Sequence, residues 1–162
     1  MNQDLFNRTV ALYEKSLEHP WEREGAHQLR RELTMNTIVA PHQSLFDGQQ
    51  VEISILPGWV SIVADLCQRL IALTQTDPHL KVQIFEVKEK HGHLCVRARY
   101  TWTGDNGIIL LEHQESMKKV DELIIAAENQ AAVTCEVCGE PGELIFSGWQ
   151  KVYCKKHAKE EV

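Results

Sequence analysis

Four residues near the end of the chain have the types and spacing of a metal site. Cys135 and Cys138 are separated by two residues, fifteen more lead to Cys154, and His157 follows after another two. Thiolate and imidazole are the donors zinc prefers, and a two-residue gap lets both members of a pair converge on one ion from a tight turn. The fifteen-residue spacer is long enough for a short hairpin to bring the second pair back to the first. The expected cofactor is one Zn2+ ion held by Cys135, Cys138, Cys154 and His157. Four protein ligands leave no position open for water, so its expected role is structural.

The residues around these ligands suit that role. Gly139 and Pro141-Gly142 follow the second ligand, where small residues let the backbone turn and aim amides at the thiolates. Leu144-Ile145-Phe146 and Val152-Tyr153 stand either side of Ser147-Gly148-Trp149, the pattern of a zinc-ribbon-like hairpin.

A second set of chemistry-bearing residues lies on a strand pattern between residues 80 and 102. Leu94, Val96, Ala98, Tyr100 and Trp102 alternate with Cys95, Arg97, Arg99 and Thr101, so both arginines share one face. Two guanidinium groups there, with His91 and His93 at the turn, are the candidate ligand-binding residues for an anion. Salt bridges to Glu86 and nearby acids are the alternative use of the same arginines. No catalytic residues are assigned. The chain has no Gly-x-Ser-x-Gly elbow, no Gly-x4-Gly-Lys loop and no Gly-x-Gly-x2-Gly turn, and His113 lacks the i, i+4 partner of a His-Glu-x2-His helix.

The elements that must position these groups are legible in outline. Leu5, Phe6, Val10, Leu12, Tyr13 and Leu17 have helical spacing; His19-Pro20 ends that helix, and Pro20 can open a second with Trp21, Ala26, Leu29 and Leu33 available for burial. Arg30 and Arg31 near its end suit a solvated, charged face. From Thr37 the pattern turns to short extended runs. Asp47-Gly48 and the alternation Val51-Glu52-Ile53-Ser54-Ile55 predict a local β-hairpin. After Pro57-Gly58, Trp59, Ile62, Val63, Leu66, Cys67, Leu70, Ile71 and Leu73 mark a core helix in which Cys67 packs as a small hydrophobe. Val82, Ile84, Phe85 and Val87 begin a second hairpin and share a face with the apolar residues of its return arm. Asp105 and Asn106 can cap a long helix over residues 108–131, with Met117, Val120, Leu123, Ile124 and Ala127 on its apolar stripe. The resulting fold class is α+β. N-terminal helices occupy residues 1–36. A core over 37–132 packs a small antiparallel sheet of hairpins with two helices, and a zinc-ribbon-like module covers 133–162.

Composition narrows the function classes. The 162 residues carry a net charge of −6, which weakens any reading in which the whole surface grips nucleic acid. No run of about eighteen apolar residues occurs and the N-terminus lacks a leader pattern, so no membrane partner and a cytoplasmic location are expected. Five cysteines, three of them in the metal pattern, fit a reducing compartment.

Three segments together resemble an uncharacterised family of small proteins associated with bacteriophage and prophage genomes. These are Pro57-Gly58-Trp59 opening a helix; Val87-Lys88-Glu89-Lys90-His91-Gly92-His93-Leu94; and Cys135-Glu136-Val137-Cys138-Gly139-Glu140-Pro141-Gly142, then Gly148-Trp149, then Cys154-Lys155-Lys156-His157-Ala158. The likeness runs over residues 57–158, and His91 stands where that family tends to carry Phe. It implies a phage accessory protein acting in the cytoplasm of a bacterial host.

The leading expectation is a non-enzymatic, zinc-stabilised binding protein, a phage accessory or counter-defence factor that engages a host protein or a small phosphorylated ligand. The alternative is a regulatory nucleic-acid-binding zinc-ribbon protein using Lys151, Lys155, Lys156 and Lys159, with Trp149 and Tyr153 for stacking. Glu136, Glu140, Glu143, Glu160 and Glu161 crowd that segment and oppose it. A small hydrolase using His91, His93, Arg97 and Arg99 is a further alternative. The Arg-bearing strand and the long helix each offer a face for homo-oligomer formation.

Overall fold

The strongest helical period in the sequence, that beginning at Trp59, builds the centre of the protein. In the computed structural model, which describes residues 1–46, 51–102, 111–146 and 148–159, Pro57–Trp59 form a 3-10 turn that runs into a helix over Val60–Thr76. Trp59, Ile62, Val63, Leu66, Cys67 and Leu70 are all buried, as their spacing requires. Counting in chain order, this helix is α3; α1 spans Gln3–Glu18, α2 Arg23–Thr34 and α4 Leu111–Ala131. Asn2 caps α1 by accepting a hydrogen bond from the Leu5 amide at 3.1 Å. The fold is mixed α+β, with four α-helices and a small sheet among the described residues.

That sheet has the order β1-β2-β3, from Glu52–Ser54, Leu80–Lys90 and His93–Trp102. Strands β2 and β3 form the expected antiparallel hairpin, closed by a two-residue turn in which His91 (φ 53°) and Gly92 (φ 73°) both take positive φ. Strand β1 departs from expectation. It pairs in parallel with β2, with α3 as the crossover, so the sheet is mixed rather than wholly antiparallel. The predicted Asp47-Gly48 turn falls outside the described residues.

Residues 37–45 also differ from the extended reading. Met35–Val39 continue α2 as a wider turn and Ala40–Leu45 form a 3-10 segment. Helical geometry is what buries Ile38 and Leu45 against α3, and a short apolar run does not reveal its period by itself.

A bulge corrects the first arm of the hairpin. The β2–β3 register shifts between Ile84 and Glu86, leaving Phe85 exposed. Ile84 and Val87 are an odd number of residues apart, so one extra residue between them is what lets both reach the core. Two other apolar residues expected inside are outside: Leu17 is exposed, and Trp21 is 76% exposed with its ring stacked on His19.

The α4 stripe forms as expected over the described residues, with Val120 and Ala127 buried against α3 and the sheet; its start at Ile108 lies outside them. One apolar cluster runs from Leu5 of α1 through α3 and the sheet to Val152. A smaller cluster joins Leu56, Cys135, Val137 and Tyr153 to Val10 and Tyr13 of α1. No helix among the described residues is long and apolar enough to cross a membrane.

Candidate metal centre

Helix α4 ends at Ala131 and hands the chain to Cys135 through a short turn. The first ligand pair sits on a knuckle closed by two backbone hydrogen bonds. The Cys135 amide donates to the Glu140 carbonyl at 2.7 Å, and the Gly139 amide to the Cys135 carbonyl at 2.9 Å. Gly139 holds φ 79°, which an L side chain takes only under strain. The spacer then folds as an antiparallel hairpin of β4, Glu143–Ile145, and β5, Lys151–Tyr153. Strand β5 delivers Cys154, and a turn bonded from the Ala158 amide to the Cys154 carbonyl at 3.0 Å presents His157.

The result is one cluster. The ligand atoms of Cys135, Cys138, Cys154 and His157 all lie within 4.8 Å of one another and could hold one metal ion. Cys138 Sγ is 3.8 Å from Cys154 Sγ, and His157 Nδ1 is 3.4 Å from Cys135 Sγ and 3.2 Å from Cys154 Sγ. A tetrahedron of donors with bonds of about 2.0–2.3 Å has edges of about 3.3–3.8 Å, close to these three of the six separations.

The electrostatics favour a cation. Burial opposes ionisation of Cys154, yet the amides of His157 and Lys156 donate to its sulfur and bring the thiol down to about 7. Cys138 is pushed up to about 12, first by burial and then by the neighbouring Cys135 and Cys154. A divalent cation held between the sulfurs would favour their thiolate forms.

Glu14 completes the site. From α1, its Oε1 lies 2.8 Å from His157 Nε2 and also contacts Lys156 Nζ. With Nε2 donating to Glu14, the Nδ1 lone pair is left facing the sulfurs, the carboxylate–histidine arrangement that orients metal-bound imidazole. Burial raises the Glu14 carboxyl, but Lys156 and His157 more than offset this and hold it below its usual value. Glu14 is 143 residues from His157 in sequence, and no spacing rule joins them.

The core is shaped to receive the knuckle. The Gly58 amide donates to the Glu136 carbonyl at 2.9 Å, and Trp59 Nε1 to the Thr134 carbonyl at 2.8 Å. A Cβ on Gly58 would stand 2.2 Å from the Cys135 carbonyl oxygen and 2.5 Å from the Gly139 nitrogen. The Pro57-Gly58-Trp59 motif is therefore the seat of the metal module.

No family model, curated protein or solved structure matches this chain.

The other candidate residues are not part of this cluster. Arg97, Arg99 and His93 lie on the outer face of the sheet with Lys81, Lys88 and Lys90, as the β2–β3 register requires. Arg97 Nε is 3.2 Å from Glu86 Oε2, and Lys88 Nζ is 2.6 Å from Glu86 Oε1; Arg99 makes no ion pair among the described residues. His91 is exposed at the turn, one residue from His93 along the chain but not on a paired position of the sheet.

The cations of the hairpin are largely committed. Lys151 Nζ reaches Glu89 at 2.7 Å and Glu136 at 3.3 Å, Lys156 pairs with Glu14, and Tyr153 is buried. Of the other residues named for the nucleic-acid alternative, Lys155 and Trp149 are exposed. Glu136, counted among the surface acids, is fully buried; burial pushes its carboxyl up to about 7 although Lys151 and the Val152 amide favour the charged form. Glu160 and Glu161 lie outside the described residues.

Proposed function

We propose that the protein is a non-enzymatic, zinc-stabilised binding protein that presents the outer face of its sheet to an anionic protein partner. Zinc is the ion that fits three thiolates and one imidazole at tetrahedral separations, with no position left for water. On this reading the 133–162 module is zinc-ribbon-like and its ion is a scaffold.

The observation that carries the binding role is the charge of the sheet's outer face. Five cations, Lys81, Lys88, Lys90, Arg97 and Arg99, stand there against Glu52 and Glu86, in a chain whose net charge is −6. Glu86 orients Arg97 and Lys88, while Lys81 and Arg99 make no ion pair among the described residues. Exposed Phe85 at the bulge adds an apolar contact of the kind that anchors interfaces. The resemblance to phage accessory proteins makes the partner an acidic protein of a bacterial host, with counter-defence as the role.

The test compares wild-type protein with the Arg97→Ala/Arg99→Ala double variant as immobilised bait in bacterial lysate, analysing both captured proteins and captured nucleic acid. Loss of a specific acidic protein from the double variant supports the proposal. Identical capture by both baits contradicts it, and arginine-dependent capture of nucleic acid alone replaces it with the regulatory nucleic-acid reading.

A further inference from the structure

The helical hairpin of α1 and α2 encloses a cleft that neither the metal centre nor the sheet face uses. Arg23, His27 and Arg30 follow one another at i, i+4 and i+7 on α2, so they share a helix face. That face looks across to Tyr13 and Leu17 of α1, with Ala26 at the base, around a cavity of about 180 Å³. The helices are held close beside it, since a Cβ on Gly25 would stand 3.3 Å from Leu12 Cδ2.

The charges in this cleft are unbalanced. Arg30 is half-buried, and desolvation is the main influence on its guanidinium. Its Nη2 is 3.0 Å from His27 Nδ1. Neither Arg23 nor Arg30 makes an ion pair among the described residues, and no carboxylate lines the cavity. Glu22, in the connection between the helices, is paired with Lys15 at 2.6 Å. A guanidinium taken out of water ordinarily finds an acid, because its donors and charge are costly to leave uncompensated. Here Arg30 has no ion-pair partner among the described residues, and Arg23 and His27 stand exposed beside it on the same cavity.

The chemistry selects the occupant. A guanidinium fork matches two oxygens of a phosphate at once. With Nδ1 accepting from Arg30, the His27 ring presents Nε2–H as a further donor. Leu17 and Ala26 offer an apolar wall for a small organic group beside the anion. We propose that the α1–α2 cleft binds a phosphate group, as inorganic phosphate or as a small phosphomonoester, through Arg30, Arg23 and His27. This site is independent of the sheet-face proposal, and either can fail without the other.

The test uses full-length, zinc-loaded protein and reads thermal unfolding and calorimetric titration in chloride and in phosphate buffers of matched ionic strength. Wild type is expected to show a saturable rise in Tm with phosphate. Arg30→Gln is expected to lose that rise while remaining at least as stable in chloride, because it sheds an unpaired, desolvated charge. Arg23→Ala is expected to weaken phosphate binding tenfold or more without altering the fold. Glycerol 3-phosphate distinguishes the sources: tighter binding than inorganic phosphate identifies a phosphomonoester site, and equal binding a site for the free anion. A phosphate-induced rise of the same size in wild type and Arg30→Gln overturns the proposal. If Arg30→Gln unfolds, the Arg23→Ala and His27→Ala variants decide, and unchanged phosphate binding in both overturns it.

Discussion

Glu14 is the residue whose role the ligand spacing could not reveal, and it decides how His157 is held. Its carboxylate fixes the imidazole through Nε2 and leaves Nδ1 toward the three sulfurs. Outer-shell carboxylates of this kind typically carry about 10–100-fold in metal affinity. Glu14→Ala is accordingly expected to lower zinc affinity by about that factor in competition with a chelating indicator; unchanged affinity would mean that the contact does not orient the ring. Cys67 makes the opposite case. Burial pushes its thiol up to about 12, so native zinc-loaded protein should leave Cys67 unmodified by iodoacetamide while the more accessible Cys95 reacts. Mass mapping that finds Cys67 alkylated at the rate of Cys95 would refute that packing. The four ligands are legible in the sequence because each pair is local, and Cys67 is legible because its neighbours share a helical period. Glu14 and the buried Glu136 are not, since their partners are set by tertiary contact alone.

At the level of elements, the turn before α3 carries more than a helix start. Gly58 brings the backbone against the Cys135–Gly139 knuckle with no room for a methyl group. Gly58→Ala should cost about 3 kcal/mol, since backbone on both sides cannot yield as a flexible side chain does. For a chain of this size that is a fall of about 10 °C in Tm, and a change of under about 2 °C would show that the seat is not tight. A second connection runs from Glu136 through Lys151 to Glu89, whose Oε1 accepts from the Gly92 amide at 2.7 Å. Lys151→Ala leaves Glu136 buried without its cation. Its expected cost is about 2 kcal/mol in denaturant unfolding, below the ~3–5 of a fully enclosed pair because Lys151 and Glu89 retain solvent contact. A cost near zero would mean that Glu136 is neutral and satisfied by the Val152 amide alone. Long periodic elements such as α3 and α4 could be read from sequence. The parallel partner of β1, the bulge at Phe85 and the helical turns over residues 37–45 could not, because pairing and burial select them over local propensity.

Across the whole molecule, the ligand cluster is where otherwise separate parts meet. Helix α1 supplies Glu14, the turn before α3 supplies Gly58 and Trp59, and the β2–β3 turn packs Gly92 against Leu144 and Gln150. Without a metal, the three sulfurs are left close together with no cation between them, and Glu14 orients a ligand with nothing to bind. Removal of the ion should therefore loosen the last thirty residues together with their contacts to α1, not the hairpin alone. Cys135, Cys138, Cys154 and His157 are proposed to hold one structural zinc. Elemental analysis of protein purified without chelator tests it most directly, with Cys138→Ser alongside. About one zinc per chain is expected in wild type and a large loss in the variant, whereas a stoichiometry near zero in folded wild-type protein would rule out a structural zinc.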